Sequence, residues 1–164
     1  KLCFIAGVVG VGYLLWRHYL YKSPAAAALE QFAQARFEYR YEDALKMCAD
    51  GPARDAVAKE LAALNVRRNP PKSGLARMLA PPPAAAPEIK SKSYQTLSEK
   101  KTDDRTVELK IQQKIRVLIE YAPFQALLVN NHTATLVKEG ETWKVRSFAE
   151  ERIGAYNPMS GKPL

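Results

Sequence analysis

The sequence contains few residues of the kinds that build metal centres or disulfides. It has two cysteines and two histidines among 164 residues, and they do not occur at the paired spacing of a zinc ligand set. Cys3 lies in an apolar run and Cys48 lies in a helical stretch, so a disulfide between them has no support from the sequence. We therefore expect free thiols, no bound metal and no cofactor.

A signature of nucleic-acid binding is also missing, although the chain is basic. The formal net charge is +8; Lys1, Arg17 and Lys22 contribute three of these charges, which leaves +5 for the rest of the chain. Acidic residues are interspersed with the basic ones, and no aromatic and basic face accompanies them. We therefore expect no nucleic-acid partner. Basic charge of this kind is better suited to contact with anionic lipid headgroups.

The first 22 residues are predicted to form a membrane anchor. Residues 2–16 contain no charge, and the segment reaches about twenty residues, the length of a membrane-spanning helix, when it is extended to Tyr21. Trp16, Tyr19 and Tyr21 are of the types that settle at the membrane interface. A cleaved signal peptide is the alternative, because the strictly apolar run has only fifteen residues. We predict a retained single-pass anchor at residues 1–22.

Two sets of residues are predicted to act at the membrane. Small residues on neighbouring turns of the anchor let a second helix approach closely, and the candidates for this packing are Ala6, Gly7, Gly10 and Gly12. Basic residues near the anchor and in the later loop are candidates for headgroup contact, namely Arg17, Lys22, Arg67, Arg68 and Lys72.

After the anchor, the sequence predicts three helices. Ser23 followed by Pro24 is typical of a helix start, with the serine as N-cap and the proline at the first helical position. The apolar spacing slips between residues 36 and 41, which indicates two helices joined by a turn at residues 37–41. Asp50-Gly51-Pro52 ends the second helix, and residues 53–64 have the composition of a third.

A basic, proline-rich loop is predicted at residues 65–87. It is unusually long for a connection within a compact domain. Connections of this kind are commonly either binding segments or disordered loops, and the sequence does not distinguish the two.

After residue 87 the apolar period changes from helical to two. Every second residue from Val107 to Ile119 is apolar except Gln113, which predicts a long amphipathic strand. Residues 88–101 are predicted to pair with it, and residues 124–138 and 142–150 are predicted to form a hairpin. Residues 152–164 are predicted to be an irregular tail. Helices followed by an antiparallel sheet of about four strands give an α+β fold.

The order of these elements resembles the nuclear transport factor 2-like superfamily. The resemblance is carried by the helices LEQFAQARFEYRYEDALKMCADGPARDAVAKEL and by the final hairpin TATLVKEGETWKVRSF with Trp143 and Val145. It covers residues 23–151 and is similar especially to bacterial members in which one membrane helix precedes the domain. The resemblance implies a cone, in which a strongly curved sheet wraps around the helices.

Some members of the superfamily are enzymes similar to ketosteroid isomerase, which need an acid or base inside an apolar cone. Strand alternation predicts a polar set facing the cone, and the candidate pocket residues are His132, Tyr94, Gln113 and Trp143. His132 shares this face only if no bulge intervenes at residues 130–131. Because no Asp or Glu falls on the apolar faces of the central strands, the carboxylate base of those enzymes has no match. We expect no catalytic residue.

Other members are membrane-tethered assembly subunits, which hold partners and need no reactive group. The sequence therefore predicts a non-catalytic accessory subunit of a larger membrane complex, with other membrane-protein subunits and the lipid bilayer as partners and with room for self-association. The alternative is a small-ligand-binding or isomerase-like protein that uses the cone. Anchored relatives favour a bacterial inner membrane with the domain in the periplasm, whereas the flanking charges favour a cytoplasmic domain, so the orientation stays open.

Overall fold

The structure is a computed structural model that describes residues 22–69, 87–118 and 125–164. The described chain forms three helices followed by a four-stranded antiparallel sheet with the strand order β1-β2-β3-β4. The predicted α+β class is therefore confirmed. The elements are α1 (Pro24–Phe37), α2 (Tyr41–Lys46), α3 (Pro52–Arg68), β1 (Ile89–Asp103), β2 (Thr106–Leu118), β3 (Gln125–Glu139) and β4 (Thr142–Tyr156).

Helix α1 starts at the predicted cap and ends at the predicted turn. The Ser23 hydroxyl accepts a hydrogen bond from the Ala26 N–H at 3.1 Å, and Pro24 occupies the first turn. At the other end, the Arg40 N–H donates to the Ala35 carbonyl at 2.8 Å, and Tyr39 has a positive φ of 58°. This is a Schellman motif with tyrosine at the left-handed position, where glycine is usual.

Helix α3 extends four residues beyond the predicted boundary and ends at Arg68. The prediction that the loop begins at residue 65 was therefore wrong. The helix continues because residues 65–68 contain no glycine or proline, and the first proline follows at Pro70. Residues 70–86, which hold the rest of that predicted loop, lie outside the described residues.

Strand β4 also continues beyond its predicted end, from residue 150 to Tyr156. The irregular tail was therefore wrong for residues 152–156. The cause is pairing with β3, which extends to the match of Leu127 with Tyr156, while a register shift leaves Ile153 unmatched and disturbs the alternation that a sequence pattern can detect. The Leu164 N–H then donates to the Ala155 carbonyl, so the chain end folds back on the strand.

The two central strands pair without interruption, and every register shift falls on an edge strand. β2 and β3 match residue by residue from Thr106 with Val137 to Leu118 with Gln125. Strand β1 has three shifts against β2, and β4 has two against β3. Bulges at edges twist the strand and limit pairing with other chains. The central register places the odd residues of β2 and the even residues of β3 together on the face that packs against the helices, which is called the inner face below.

The inner face carries one large and one small apolar cluster. The large cluster joins all three helices to the sheet through residues such as Leu29, Phe32, Val57, Leu136 and Val145. The small cluster contains Ile115, Val117 and Ala126, with Phe37, Ile89 and Leu128 packed against it. Between the two clusters lie the only buried polar residues of the described chain, Gln113, Asn130 and His132.

Within residues 22–69, 87–118 and 125–164, no helix combines the length and apolar character needed to cross a membrane. The predicted anchor at residues 1–22 falls almost entirely on residues outside this part of the chain, including Arg17 and the packing candidates Ala6, Gly7, Gly10 and Gly12. Lys22, its last residue, is described and pairs with Glu30 of α1 at 2.8 Å.

Candidate functional site

Two rows of residues cross the sheet between the apolar clusters. In the first, backbone pairing aligns Tyr94 of β1, Gln113 of β2, Asn130 of β3 and Arg152 of β4. The adjacent row places His132 of β3 opposite Glu150 of β4. Because paired residues on neighbouring strands lie about 5 Å apart, side chains from four strands meet here.

Gln113 is the centre of a hydrogen-bond network in the first row. Its amide nitrogen donates to the Tyr94 hydroxyl at 3.2 Å. Its Oε1 accepts from the Asn130 amide at 3.3 Å and bonds the His132 Nε2 at 3.0 Å. All three amide and imidazole side chains are at most 3% exposed. The network therefore satisfies most of the polar atoms that the strands bury, as buried polar groups require.

Burial makes His132 a neutral imidazole. Removal from water lowers the pKa of His132, and the positive charge of Arg36 acts in the same direction, while Glu150 opposes them. With the Gln113 amide nitrogen placed against the Tyr94 hydroxyl, Gln113 Oε1 accepts this hydrogen bond and the His132 Nε2 carries its proton. The other ring nitrogen, Nδ1, is then an acceptor. Burial likewise raises the pKa of Tyr94, which keeps its hydroxyl protonated and able to donate.

Asn130 holds a polar atom that the described protein leaves without a partner. Its amide nitrogen is bound to Gln113, but its Oδ1 is buried and accepts no hydrogen bond. An unsatisfied buried acceptor costs about 1–3 kcal/mol relative to a satisfied one.

Arg36 of α1 closes one side of the polar region. Its guanidinium binds Glu60 at 2.6 Å and Glu150 at 3.1 Å, and it stacks over the Phe148 ring at 4.0 Å from the ring centre. Burial would lower the pKa of Arg36, but the hydrogen bonds and negative charges of the two glutamates outweigh burial and raise it. Arg36 is thus a fixed structural cation.

A cavity of about 330 Å³ lies against these residues. Helix α1 and the turn after it line one side with Arg36, Phe37 and Tyr39, and the sheet lines the other side with polar and apolar side chains. The lining residues are Ala33, Arg36, Phe37, Tyr39, Tyr41, Pro87, Gln113, Leu128, Asn130, His132, Glu150 and Arg152. Tyr39 contributes to this wall from its left-handed backbone conformation, and residues in such conformations cluster at binding sites.

The structure brings together three of the four predicted pocket residues. His132, Tyr94 and Gln113 belong to one network, and the bulge that would have turned His132 away is absent from β3. Trp143 lies elsewhere, beside a groove of about 750 Å³ at the end of the sheet where Ser23 and Lys138 are found. Trp143 pairs with Lys138 near the hairpin turn, and His132 lies six residues before Lys138 in β3.

Sequence reasoning missed Asn130, Arg36, Glu150 and Arg152. Asn130 lies on the same face of β3 as His132, so the alternation that predicted His132 could also have predicted Asn130. Glu150 could not, because strict alternation from the buried Val145 puts residues 147 and 149 on the inner face. A register shift at Arg146 moves Phe148, Glu150 and Arg152 there instead.

Two of the predicted headgroup contacts, Lys22 and Arg68, lie far apart in the described part of the chain. Lys22 precedes α1, whereas Arg68 lines a depression with Tyr39, which follows the end of α1. A helix of 14 residues is about 21 Å long, so these two positions are far apart. Arg67 adjoins Arg68 in the last turn of α3, and Lys72 lies outside the described residues. In the described part of the chain, no group of three or more metal-binding side chains occurs.

No protein-family model matches the chain, and neither a curated protein nor a solved structure matches it. The α+β architecture is therefore established by the structure itself, and a function has to be inferred from the cavity and its polar wall.

Proposed function

We propose that this protein is a non-catalytic binding domain of the nuclear transport factor 2-like type that holds a small organic molecule in the cavity between α1 and the sheet. The observation that carries the proposal is the polar network of Gln113, Asn130 and His132 on the wall of that cavity. Small-molecule sites combine a mostly apolar lining with a few convergent polar groups, and they occupy about 300–1,000 Å³.

The residues around the network support binding over simple packing. Gln113 is flanked on the same face by Ile111 and Ile115, which are both fully buried. An apolar residue at position 113 would join the two clusters into one core without any cost of burying an amide. Three buried polar side chains in that place are better explained by recognition of a molecule in the cavity.

The hydrogen-bond partners of His132 and Glu150 favour ligand binding over catalysis. The His132 imidazole is buried and bound to Gln113, and the Glu150 carboxylate is bound to Arg36. A general base needs a free lone pair or carboxylate beside the reacting atom. The neutral His132 does retain Nδ1 as an acceptor, so isomerase-like turnover is the alternative outcome of the experiment below.

The test is to identify what the full-length protein retains when it is purified in mild detergent. Leu128→Trp fills the cavity, because Leu128 lines it, whereas Leu127→Trp adds the same ring one residue away on the opposite face of β3. We expect mass spectrometry of denatured protein to find a small molecule in the wild type and in Leu127→Trp, and to find much less in Leu128→Trp.

Equal amounts of bound molecule in all three proteins, or none in the wild type, would argue against the cavity as a binding site. Conversion of the retained molecule to a product, lost in His132→Gln, would replace binding by isomerase-like catalysis as the function.

A second proposal is that the protein is a membrane-anchored accessory or assembly subunit of a larger membrane complex. It is supported by the apolar character of residues 2–16 and by the groove beside Trp143, which adjoins Ser23 where the predicted anchor ends. A partly buried tryptophan in a groove is a common anchor for a partner protein. We also propose an inner-membrane location with the domain in the periplasm.

Copurification tests the second proposal. A stable partner or a second copy of the chain should be retained by the wild type and by Met159→Ala, whose methionine is 94% exposed, and should be lost in Trp143→Ala. Elution of the wild type alone would count against this role. Cleavage by protease added to spheroplasts would place the domain in the periplasm, and full protection would place it in the cytoplasm.

A further inference from the structure

We propose that the molecule held in the cavity is an organic monoanion whose carboxylate binds Arg152 and the unused N–H groups of Arg36. Its apolar part then lies against Phe37 and Leu128, which line the same cavity. This inference rests on the small-molecule binding proposed above, and it adds the chemical class of the ligand.

Two bulges in β4 bring Arg152 to the cavity. Arg146 and Ile153 have no partner in β3, so the register shifts on both sides of the segment between them. Within this segment Arg152 pairs with Asn130 and lines the cavity. Without the shift at Arg146, strict alternation would place Glu151 there and turn Arg152 to the opposite face. Bulges next to binding sites commonly re-aim a side chain, and this one exchanges a carboxylate for a guanidinium.

The Arg152 guanidinium is available to a ligand. No ion pair of the described residues includes Arg152, although its side chain lines the cavity. A guanidinium presents its N–H groups as a planar fork that matches the two oxygens of a carboxylate. Arg152 therefore offers both positive charge and paired donors to a molecule in the cavity.

Arg36 adds donors from the helix side of the cavity. Its Nε and Nη2 donate to Glu60 and its Nη1 donates to Glu150, so three of its five N–H groups are used and two have no partner among the described residues. The side chain is only 13% exposed, and unused donors on a buried group favour an acceptor. A carboxylate has four lone-pair positions and can accept from both arginines.

The negative charge of Glu150 does not cancel this attraction. Glu150 and Arg152 are two residues apart on one face of β4, which is about 7 Å along the strand. Because Coulomb energy falls with distance, a carboxylate at about 3 Å from Arg152 is attracted more than twice as strongly as Glu150 repels it from about 7 Å. Arg36 lies 3.1 Å from Glu150 and offsets its charge further.

The charges of the whole lining agree with this local comparison. Arg36 and Arg152 contribute two positive charges and Glu150 contributes one negative charge, which leaves +1, and burial keeps His132 neutral. Glu60, the second partner of Arg36, is not among the residues that line the cavity. A monoanion therefore balances the charge of the lining, whereas a cation would add to it.

The other lining residues suit an apolar body. Phe37 and Leu128 belong to the small apolar cluster and line the cavity. Tyr39 and Tyr41 add two rings whose centres lie 6.1 Å apart. Leu128 is two residues from the strand partner of Arg152, so an apolar and a cationic position are neighbours on the wall. An aromatic carboxylate has both of the parts that this wall accommodates.

The test compares three planar probes of the same shape and different charge. Benzoate is an anion, benzamide is neutral and benzamidine is a cation. Each probe is titrated at neutral pH into the full-length protein in mild detergent, and binding is measured by calorimetry. We expect benzoate to bind at least about tenfold more tightly than benzamide, because charge-assisted hydrogen bonds are about twice as strong as neutral ones. Benzamidine should bind most weakly, and added salt should weaken the binding of benzoate more than that of benzamide.

Matched variants locate the effect. Arg152→Gln removes the cation, whereas Arg116→Gln removes the same charge from the opposite face of the sheet, where Arg116 is exposed and pairs with Leu127. Benzoate binding should weaken at least about tenfold in Arg152→Gln and change by less than about twofold in Arg116→Gln. Benzamide binding should be the same in both variants, which a general change in packing would not produce. Leu128→Trp should abolish binding of both probes, because Leu128 lines the cavity.

Equal affinity for benzoate and benzamide, tighter binding of benzamidine, or an equal loss of benzoate binding in the two arginine variants would overturn this inference and leave the binding function intact. The absence of benzoate binding at millimolar concentration would also overturn it. If Arg152→Gln fails to fold, the order of the three probes on the wild type decides. The binding function itself is judged separately, by the molecule that the wild type retains on purification and Leu128→Trp loses.

Discussion

The two ends of the inner face are built by the same four strands and yet differ in kind. At the end near the hairpin turns, Val107, Leu136 and Val145 are at most 1% exposed and pack under all three helices. At the other end, the described residues that lie over the strands are mainly the last part of α1 and the turn after it, and a cavity lies against Gln113, Asn130 and His132.

The comparison shows how helix coverage decides what a strand can bury. Where the helices lie close to the sheet, their contact residues are small, such as Ala35, Ala44 and Ala53. These residues pack against branched aliphatic side chains of the strands. Cys48 belongs to this sealed end, and burial raises the pKa of its thiol to about 11, which leaves it unreactive at neutral pH. Where the cover ends, polar side chains face a space large enough for a molecule.

The largest expected effect is at the sealed end. Leu136→Ala should lower the free energy of unfolding by about 3 kcal/mol, because it removes apolar contacts and leaves a void among side chains that cannot close it. Leu128→Ala at the cavity end should cost less than about half of this amount, since Leu128 already borders open space. Chemical denaturation of both variants checks the difference, and equal costs would show that the two ends are packed alike.

The next effect is expected at the polar network. Gln113→Leu should lower the free energy of unfolding by about 2 kcal/mol, because it leaves the Asn130 and His132 donors without their acceptor. Gln112→Leu, on the opposite face of the same strand, should change it by less than about 0.5 kcal/mol. A gain in stability from Gln113→Leu would mean that the network contributes nothing to the fold beyond its place at the cavity.

A smaller effect is expected from pH. The pKa of His132 is lowered from its ordinary value of 6.5, so below pH 6.5 the unfolded chain binds a proton that the folded chain does not. The free energy of unfolding should therefore fall as the pH is lowered through this range. Arg36 and Glu150 face the same imidazole, and the neutral variant His132→Gln keeps both of them.

Thermal denaturation between about pH 7 and pH 5.5 measures how the free energy of unfolding changes with pH, and this change should be smaller in His132→Gln. The lowered pKa values of Glu38 and Asp103 add their own dependence only under more acidic conditions. An unchanged slope in the variant would assign the pH dependence to other groups.

The smallest effect is expected at the rim of the cavity. Tyr39→Gly should raise the free energy of unfolding by about 0.5 kcal/mol, because relief of the left-handed backbone slightly exceeds the entropy that glycine adds to the unfolded chain. Tyr39→Ala removes the same ring without that relief and should not stabilise. Weaker ligand binding in both variants would show that the ring serves the cavity, and stabilisation by Tyr39→Ala would refute the explanation by backbone strain.

Much of the fold was predictable because it follows from local patterns. The cap at Ser23, the turn after Phe37 and the period-two alternation of β2 each depend on neighbouring residues alone. The predicted end of α3 was too early, because the end of a helix depends on its tertiary packing as well as on helix-breaking residues. The predicted β4 was too short, because its last residues form a strand only by pairing with β3.

The candidate site was predictable only in part. Gln113 was visible as the one polar residue in an apolar row, and alternation led to His132. Arg36 lies in a helix more than a hundred residues before Glu150. Their contact is therefore tertiary and cannot be predicted from sequence periodicity. The register shift at Arg146 then decided that Glu150, and not its neighbours, faces that guanidinium.

The sequence by itself determined the order of helices and strands, the inner and outer faces of the central strands, and the presence of an amide in an apolar row, since these follow from residue spacing along one chain. The tertiary structure alone decided that the described helices pack on one end of the sheet more closely than on the other, that the edge strand turns Glu150 inwards, and that the Asn130 Oδ1 is buried without a partner. The physical reason is that a cavity and an unpaired atom are properties of the space between elements, which no single element encodes.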